Sequence, residues 1–235
     1  MWGYDLEYAG VTAAERHIKI MDRPNIPVPV INRKEINIPG RDGILYSEEK
    51  TVDDIPINVR MNFSGKLQEW FEHARTVKGW LLQGGVHQLK FSDDPEYFYR
   101  VKKVELSEIE REFRIIGRFT AVFFCSGYHY LAIGDKGYAV DDVKYNPYYT
   151  SHPVYTIRGE GVCNLKVNGK IMTVQNIGQN VTIDTERMIT YRTDGTLANT
   201  SVNGDYEDLY LNPGYNEIEV TDGFDVEIIP NWRCL

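Results

Sequence analysis

The most regular apolar pattern in the chain lies between residues 64 and 82. Apolar side chains recur there every three or four residues, the spacing of one helix face: Leu67, Trp70, Phe71, Ala74, Val77 and Leu81. We therefore predict one α-helix over about residues 65–82, with Ser64 as its N-cap and with Gly79 and Gly84-Gly85 near its end. Such a stripe is typical of a helix packed on a sheet; the alternative is a groove that binds a partner.

Alternating apolar and polar positions predict strands after this helix. Residues 112–125 alternate most clearly, with the following side chains mostly on one face: Phe113, Ile115, Phe119, Ala121 and Phe123. Shorter strands are predicted over residues 88–92 and 97–106, on either side of the turn residues Asp93-Asp94-Pro95. The first part of the chain is therefore predicted to be β-rich, with a single helix.

The chain changes character near residue 135. Residues 134–153 are rich in Gly, Asp, Asn, Pro and Tyr, a composition typical of a linker. Eight short strands are predicted beyond it, over residues 154–159, 164–167, 170–175, 181–185, 188–193, 206–211, 217–220 and 225–229, and Asn168-Gly169 is a strong hairpin signal between two of them. We predict a domain of residues 1–140 followed by an all-β domain of residues 141–235, a sandwich or a barrel.

Composition and charge narrow the class of protein. The chain is 42% hydrophobic and 12% aromatic, with 16 tyrosines, which favours a globular β protein with contact surfaces. Its net charge is −8, and residues 141–235 carry most of it, with 7 Lys/Arg against 14 Asp/Glu. An acidic chain argues against sequence-specific nucleic-acid binding. The sequence has no apolar run long enough for membrane insertion and no recognisable signal peptide, so we expect a protein kept inside a cell until it is released.

The sequence contains no recognisable catalytic, cofactor-binding or metal-binding constellation of residues. The three cysteines are far apart, which predicts free thiols rather than a disulfide framework or a zinc site. The five histidines are scattered, and neither a nucleophile elbow nor a phosphate-binding loop occurs. Adjacent acidic residues fall in turn-like segments, without the separation across a cleft that a glycosidase needs. We therefore predict that the protein is not an enzyme.

One stretch, residues 35–46, predicts a strand, a tight loop and a second strand. Ile36 and Ile38 lead into Pro39-Gly40, and Arg41 and Asp42 then lie at the tip. On one interpretation this is an ordinary hairpin, and the two charged side chains only keep its tip solvated. On the other interpretation the loop docks on a neighbouring chain. We predict, on the second interpretation, that Arg41 and Asp42 lie at a subunit interface.

At this stretch the sequence resembles the distal tail proteins (Dit) of long-tailed siphovirus bacteriophages, which are baseplate hub components. The stretch Ile38-Pro39-Gly40-Arg41-Asp42-Gly43 is similar to that family's N-terminal signature. Further similar segments follow in the family's order: Gly79-Trp80-Leu81, residues 89–94, 97–99 and 119–125, Asn146-Pro147, residues 149–153 and 157–161, Ile183-Asp184, residues 211–218, and Pro230-Asn231-Trp232-Arg233. The resemblance thus extends over nearly the whole chain.

The resemblance implies a fold and a role. The fold is a β-rich N-terminal domain with one helix and an extended hairpin, followed by a galectin-like β-sandwich. The role is that of a virion structural protein: six copies form a ring that joins the end of the tail tube and the tape-measure protein to the tail-associated hub or fibre protein. In some phages the ring also anchors receptor-binding proteins. The implied location is the distal end of the tail, after assembly in the cytoplasm of the bacterial host, for a free phage or a prophage.

A second hypothesis is a carbohydrate-binding β-sandwich module that helps host adsorption by binding the cell wall. Tyr148-Tyr149 could stack on a sugar ring, but packing in a linker or an interface is the favoured interpretation of this pair. The sugar-binding motifs of galectins do not occur in residues 141–235. A cell-wall hydrolase is the weakest hypothesis, since no acid/base pair presents itself.

Overall fold

A computed structural model of the protein describes residues 4–235, without the side chains of residues 48–50. It is mainly β, as predicted, and the described residues form one α-helix, α1 (Trp70–Leu81). The strands are β1 (Leu6–Tyr8), β2 (Val11–Thr12), β3 (Ile18–Ile20), β4 (Ile31–Ile36), β5 (Leu45–Val52), β6 (Ile55–Ser64), β7 (His87–Phe91), β8 (Asp94–Leu106), β9 (Glu110–Glu112), β10 (Ile116–Leu131), β11 (Tyr138–Ala139), β12 (Tyr145–Asn146), β13 (Val154–Val167), β14 (Lys170–Asp184), β15 (Ile189–Tyr191), β16 (Val202–Asn203), β17 (Gly214–Tyr215), β18 (Ile218–Val220), β19 (Asp225–Ile229) and β20 (Arg233–Cys234). Short 3-10 helices cover Ala14–Arg16, Ala132–Asp135, Val140–Val143, Asn199–Ser201 and Tyr206–Leu209.

The chain divides into two compact units. The first contains the described residues up to His129 together with Leu235, and the second contains Tyr130–Cys234. The division into functional domains of residues 1–140 and 141–235 stays a prediction.

The first unit is built on one large sheet, in the strand order β2-β1-β7-β8-β10-β6-β3, with β9 also paired to β10. Strands β6 and β10 are antiparallel over ten residue pairs, from Ile116↔Ser64 to Cys125↔Ile55. Buried side chains alternate with more accessible ones along both strands, so the period of two predicted for β10 is confirmed. One face of the sheet therefore carries the core of this unit.

Strand β10 begins later than predicted. Phe113 and Arg114 have positive φ angles of 48° and 65° and form a turn between β9 and β10, so a strand starting at Glu112 is wrong. Phe113 points to solvent, with 78% of its surface exposed, because it lies in this turn. Within β10, Gly117 faces the core where Phe63 already fills the space: a Cβ there would lie 2.2 Å from the Phe63 ring.

Helix α1 lies on the core face of this sheet and is fixed there by its tryptophans. The indole of Trp80 donates to the Tyr8 carbonyl oxygen at 3.1 Å, and that of Trp70 to the Ile116 carbonyl oxygen at 3.2 Å. The predicted N-cap is wrong, because Ser64 is the last residue of β6 and the helix begins only at Trp70. The predicted stripe is buried in part: Trp70, Ala74, Val77 and Leu81 are buried, whereas Leu67 and Phe71 are exposed.

The second unit is built on two very long strands. Strands β13 and β14 form a hairpin whose turn, Asn168-Gly169, has two positive φ angles, so the predicted hairpin turn is confirmed. The sheet order is β11-β19-β13-β14-β15, with β18 added to β13 and β16 added to β14. Predicted breaks within these strands are wrong, since the chain passes through a bulge between Gly161 and Cys163 without leaving the ladder.

Two further expectations for the second unit are wrong in detail. The strand predicted over residues 206–211 is a 3-10 helix, Tyr206–Leu209. The predicted linker of residues 134–153 contains short elements, and its buried Asn146 is fully satisfied. The Asn146 amide donates to the carbonyl oxygens of Tyr149 and Leu211 at 2.9 and 3.0 Å and accepts from the Tyr148 N–H at 2.9 Å. This segment is therefore part of the packed unit.

Candidate functional site

A two-stranded arm formed by β4 and β5 is the strongest candidate site in the first unit. The strands are antiparallel from Ile31↔Val52 at the base to Ile36↔Leu45 near the tip, which confirms the predicted hairpin. Among the described residues they form a sheet with each other and with no third strand. The base is closed by a hydrogen bond from the Asp53 N–H to the Val30 carbonyl oxygen at 2.9 Å. The arm is thus a separate ribbon anchored at one end.

The tip of the arm is the loop of residues 37–44. The Arg41 N–H donates to the Ile38 carbonyl oxygen at 3.1 Å, and Gly40 and Gly43 provide the positive φ angles that the turn requires. Arg41 and Asp42 are side by side and exposed, and within the described part of the chain neither forms an ion pair. Two unpaired opposite charges at a loop tip can each bind a group of opposite sign on another molecule.

Apolar side chains flank these charges. Ile44 is 48% exposed and Tyr46 is 55% exposed, and Ile38 and Leu45 are also exposed. Single exposed apolar residues are ordinary on a monomer, but several on one narrow ribbon are typical of a surface that binds a protein. The sequence analysis predicted only the two charges as interface residues and assigned Ile38 to the strand before the turn, although the clustering of apolar residues around the loop was visible in the sequence.

The second unit contains a pair of exposed tyrosines. Strands β12 and β17 pair Tyr145 with Tyr215, whose ring centroids are 4.9 Å apart with an interplanar angle of 54°. Tyr215 is 86% exposed and Tyr145 is 53% exposed. The Asp141 carboxylate accepts from Lys144 Nζ at 2.6 Å, and this ammonium lowers the pKa of Asp141. Sequence reasoning chose Tyr148-Tyr149 instead, because the pairing of residues 70 positions apart leaves no local signal.

The buried titratable groups have structural roles. Burial raises the pKa of the Tyr155 phenol, whose hydroxyl donates to the Leu209 carbonyl oxygen at 2.7 Å inside the second unit. Burial, assisted by the nearby Asp54 charge, raises the pKa of the Cys125 thiol, so this cysteine is a poor nucleophile. Each of these groups stabilises a packed interior and faces no cleft.

The described residues include no cluster of three or more His, Cys, Asp or Glu side chains that could hold a metal ion. Nor does the described range contain a helix with the length and apolar character that crossing a membrane requires.

Comparison with known proteins identifies the fold of the chain. No protein-family model matches the sequence, and a comparison with curated proteins gives no match. Among solved structures, the chain is similar to the Dit protein (gp 19.1) of phage SPP1, described as a paradigm of the hub adsorption apparatus of phages that infect Gram-positive bacteria. The two are 13% identical and superpose with a TM-score of 0.64 over 96% of this chain and 97% of the other. This chain therefore has the fold of the SPP1 Dit protein along nearly its whole length.

Proposed function

We propose that the protein is a structural component of a phage tail tip, a distal tail protein that forms a hexameric ring. The observation that carries this proposal is the exposed arm of β4 and β5, on a chain with a Dit fold. The ring would join the end of the tail tube and the tape-measure protein to the tail-associated hub or fibre protein. The proposed role is structural and includes no catalytic step.

The physics of ring assembly supports the arm as the docking element. In a head-to-tail interface, a protruding surface of one subunit binds a different surface of the next, and the series closes when the rotation fits. An arm that pairs with no third strand of its own chain leaves its side chains available for such a contact. We propose that Arg41 and Asp42 lie in this interface, where the planar guanidinium of Arg41 can hold a carboxylate with two hydrogen bonds.

The proposed location is the distal end of the virion tail, reached after assembly in the cytoplasm of the bacterial host. The second unit, with its excess of acidic residues, is proposed to be a galectin-like domain that faces outward or towards partners, including receptor-binding proteins. A basic surface on such a partner would complement this acidic charge, and complementary charges increase the association rate and the specificity of binding.

Solution mass tests the ring. Light scattering after size exclusion, over a hundredfold range of concentration, is expected to give a species of about 163 kDa, six times the chain mass of 27.1 kDa. Arg41→Glu is expected to weaken this species, because it places a like charge against the acceptor of the guanidinium. A chain that stays at 27.1 kDa at every concentration, also when mixed with the hub and tube-end proteins, refutes the proposal.

A carbohydrate-binding module is the second candidate, favoured by the exposed Tyr145–Tyr215 pair. The apolar C–H faces of a pyranose ring stack on aromatic faces, and Lys144, next to Tyr145 in the sequence, supplies with its partner Asp141 hydrogen-bonding groups for hydroxyls. Calorimetric titration with soluble β-1,4-linked N-acetylglucosamine oligosaccharides tests it. Binding that is lost in Tyr215→Ala and kept in Tyr46→Ala, an exposed tyrosine of the first unit, supports this function; no heat with the parent protein rejects it for this class of sugar.

A further inference from the structure

The outer side of α1 forms a groove that the fold of the first unit does not fill. A cavity of about 420 Å³ lies between the helix and the segment that follows β8. Its lining includes Trp70, Phe71, Arg75, Lys78, Leu82 and Glu108. Phe71 is 59% exposed and Leu82 is 52% exposed, so much of the apolar floor is open to solvent. This volume suits a few side chains of a partner rather than a whole domain.

The rim of this groove is mainly basic. Arg75 and Lys78 line it, and among the described residues neither is in an ion pair. The Arg111 guanidinium lies over the Trp70 and Phe71 rings, 4.8 and 5.4 Å from their centroids, and adds a third positive charge at one end. Glu108 is the one acidic side chain in the lining. A matching ligand has apolar side chains, at least one carboxylate over the basic rim, and a cation opposite Glu108.

We infer that this groove receives the tip of the β4–β5 arm of a second copy of this chain. The tip and the start of β5 carry the required groups close together in the chain: Ile44 and Tyr46 for the apolar floor, Asp42 for the basic rim and Arg41 for Glu108. The inference rests on the proposed ring and names the acceptor surface within it. It also accounts for the exposure of Phe71 in the predicted helix stripe, which packing on the sheet leaves unexplained.

The dimensions and the surfaces of the unit fit a contact between copies. From Ile31 to the tip, the arm spans about ten residues at ~3.3 Å each, a reach of roughly 30 Å. A unit of this size has a radius of gyration of roughly 14 Å, so the tip can cross onto a neighbour. The arm and the groove are different surfaces of one chain, and their pairing is the heterologous contact that repeats around a ring.

Disulfide trapping tests the contact directly. We place one cysteine at the tip and one in the groove, Asp42→Cys with Lys78→Cys, in a Cys234→Ser background; the other native cysteines, Cys125 and Cys163, are buried. Under mild oxidation, a ladder of linked chains is expected on a non-reducing gel. The control combines Asp42→Cys with Lys170→Cys, whose position is 66% exposed in the second unit, and is expected to give no ladder.

The outcomes separate this inference from the proposed function. A ring of normal mass without the ladder overturns the groove as acceptor and leaves the ring standing. A chain that neither assembles nor cross-links at any concentration overturns both. A ladder of equal strength in the control also overturns the inference, because the trapping is then unspecific.

Charge reversal gives an independent measurement on the same contact. Lys78→Glu is expected to raise the concentration for half-assembly by about fivefold, since the loss at each exposed ion pair is repeated at every interface of the ring. Combination with Asp42→Lys is expected to recover most of the loss, whereas Lys170→Glu is expected to have no effect. Unchanged assembly of Lys78→Glu overturns the inference.

Discussion

Truncation of one apolar side chain on the arm gives a quantitative test of the docking role proposed for it. The change is Ile44→Ser, at a loop position that is 48% exposed in the isolated chain. Full burial of such a side chain contributes about 1.5–3 kcal/mol, so about half of this, roughly 1 kcal/mol, is still to be gained when a neighbour covers it. The variant is therefore expected to lose about 1 kcal/mol at each interface.

The proposed hexameric ring would amplify this loss. Its six interfaces would lose about 6 kcal/mol in total, which would lower the assembly constant by roughly four powers of ten. The concentration for half-assembly of six chains varies as the fifth root of that constant, so it rises by about sevenfold. Sedimentation equilibrium or light scattering over a hundredfold range of concentration resolves such a shift.

The matched control is Ile171→Ser, an isoleucine of strand β14 that is 52% exposed and lies in the second unit. Its half-assembly concentration is expected to equal that of the parent, and both variants are expected to melt alike. An equal shift in the two variants, or none in Ile44→Ser, refutes the reasoning, because either result means that the arm buries no additional apolar surface on assembly.

Three further predictions concern the chain itself. Burial lowers the pKa of the His129 imidazole, against a smaller opposing effect of Asp94, so unfolding takes up a proton and the free energy of unfolding decreases as the pH falls through about 6.5. Urea titrations at about pH 7.5 and 5.5 measure this decrease, which is expected to be smaller in His129→Gln than in the parent protein. An equal decrease in both proteins contradicts this origin. A thiol reagent is expected to modify Cys234, which is half-buried, before the buried Cys125, and modification of both at one rate contradicts the burial of Cys125. Asn146→Ala removes three hydrogen bonds from a fully buried side chain and is expected to lower the free energy of unfolding by about 2–4 kcal/mol in a denaturant titration; a loss below about 1 kcal/mol contradicts this accounting.

The sequence predicted the elements whose pattern is local. The alternation along β10, the turn at Asn168-Gly169 and the arm hairpin depend on neighbours within a few residues, so they could be recognised without a structure. The start of α1 could not, because Ser64 is a good capping residue and yet pairs with Ile116 in the sheet. Tertiary pairing outweighed local preference there.

The candidate sites also differ in whether a local sequence pattern or a tertiary contact determines them. Arg41 and Asp42 were recognisable because a Pro-Gly turn places them at a hairpin tip, and the structure has them there. The pairing of Tyr145 with Tyr215 depends on which distant strands meet, and no pattern within either segment specifies it. Phe71 was assigned to the core because it continues a helical stripe, but the sheet covers only part of that stripe.

The separation of the arm from the main sheet has a consequence for the lifetime of the protein in a cell. An isolated two-stranded ribbon is marginally stable and opens locally at little cost in free energy. Its exposed Arg33, Lys34 and Arg41 then offer cleavage sites to trypsin-like proteases. In the proposed ring, a subunit whose arm is covered by a neighbour would be protected from cleavage, whereas an unassembled subunit would not. On the proposed function, proteolysis of the arm would thus remove unassembled copies and keep the supply of subunits matched to the number of growing tails.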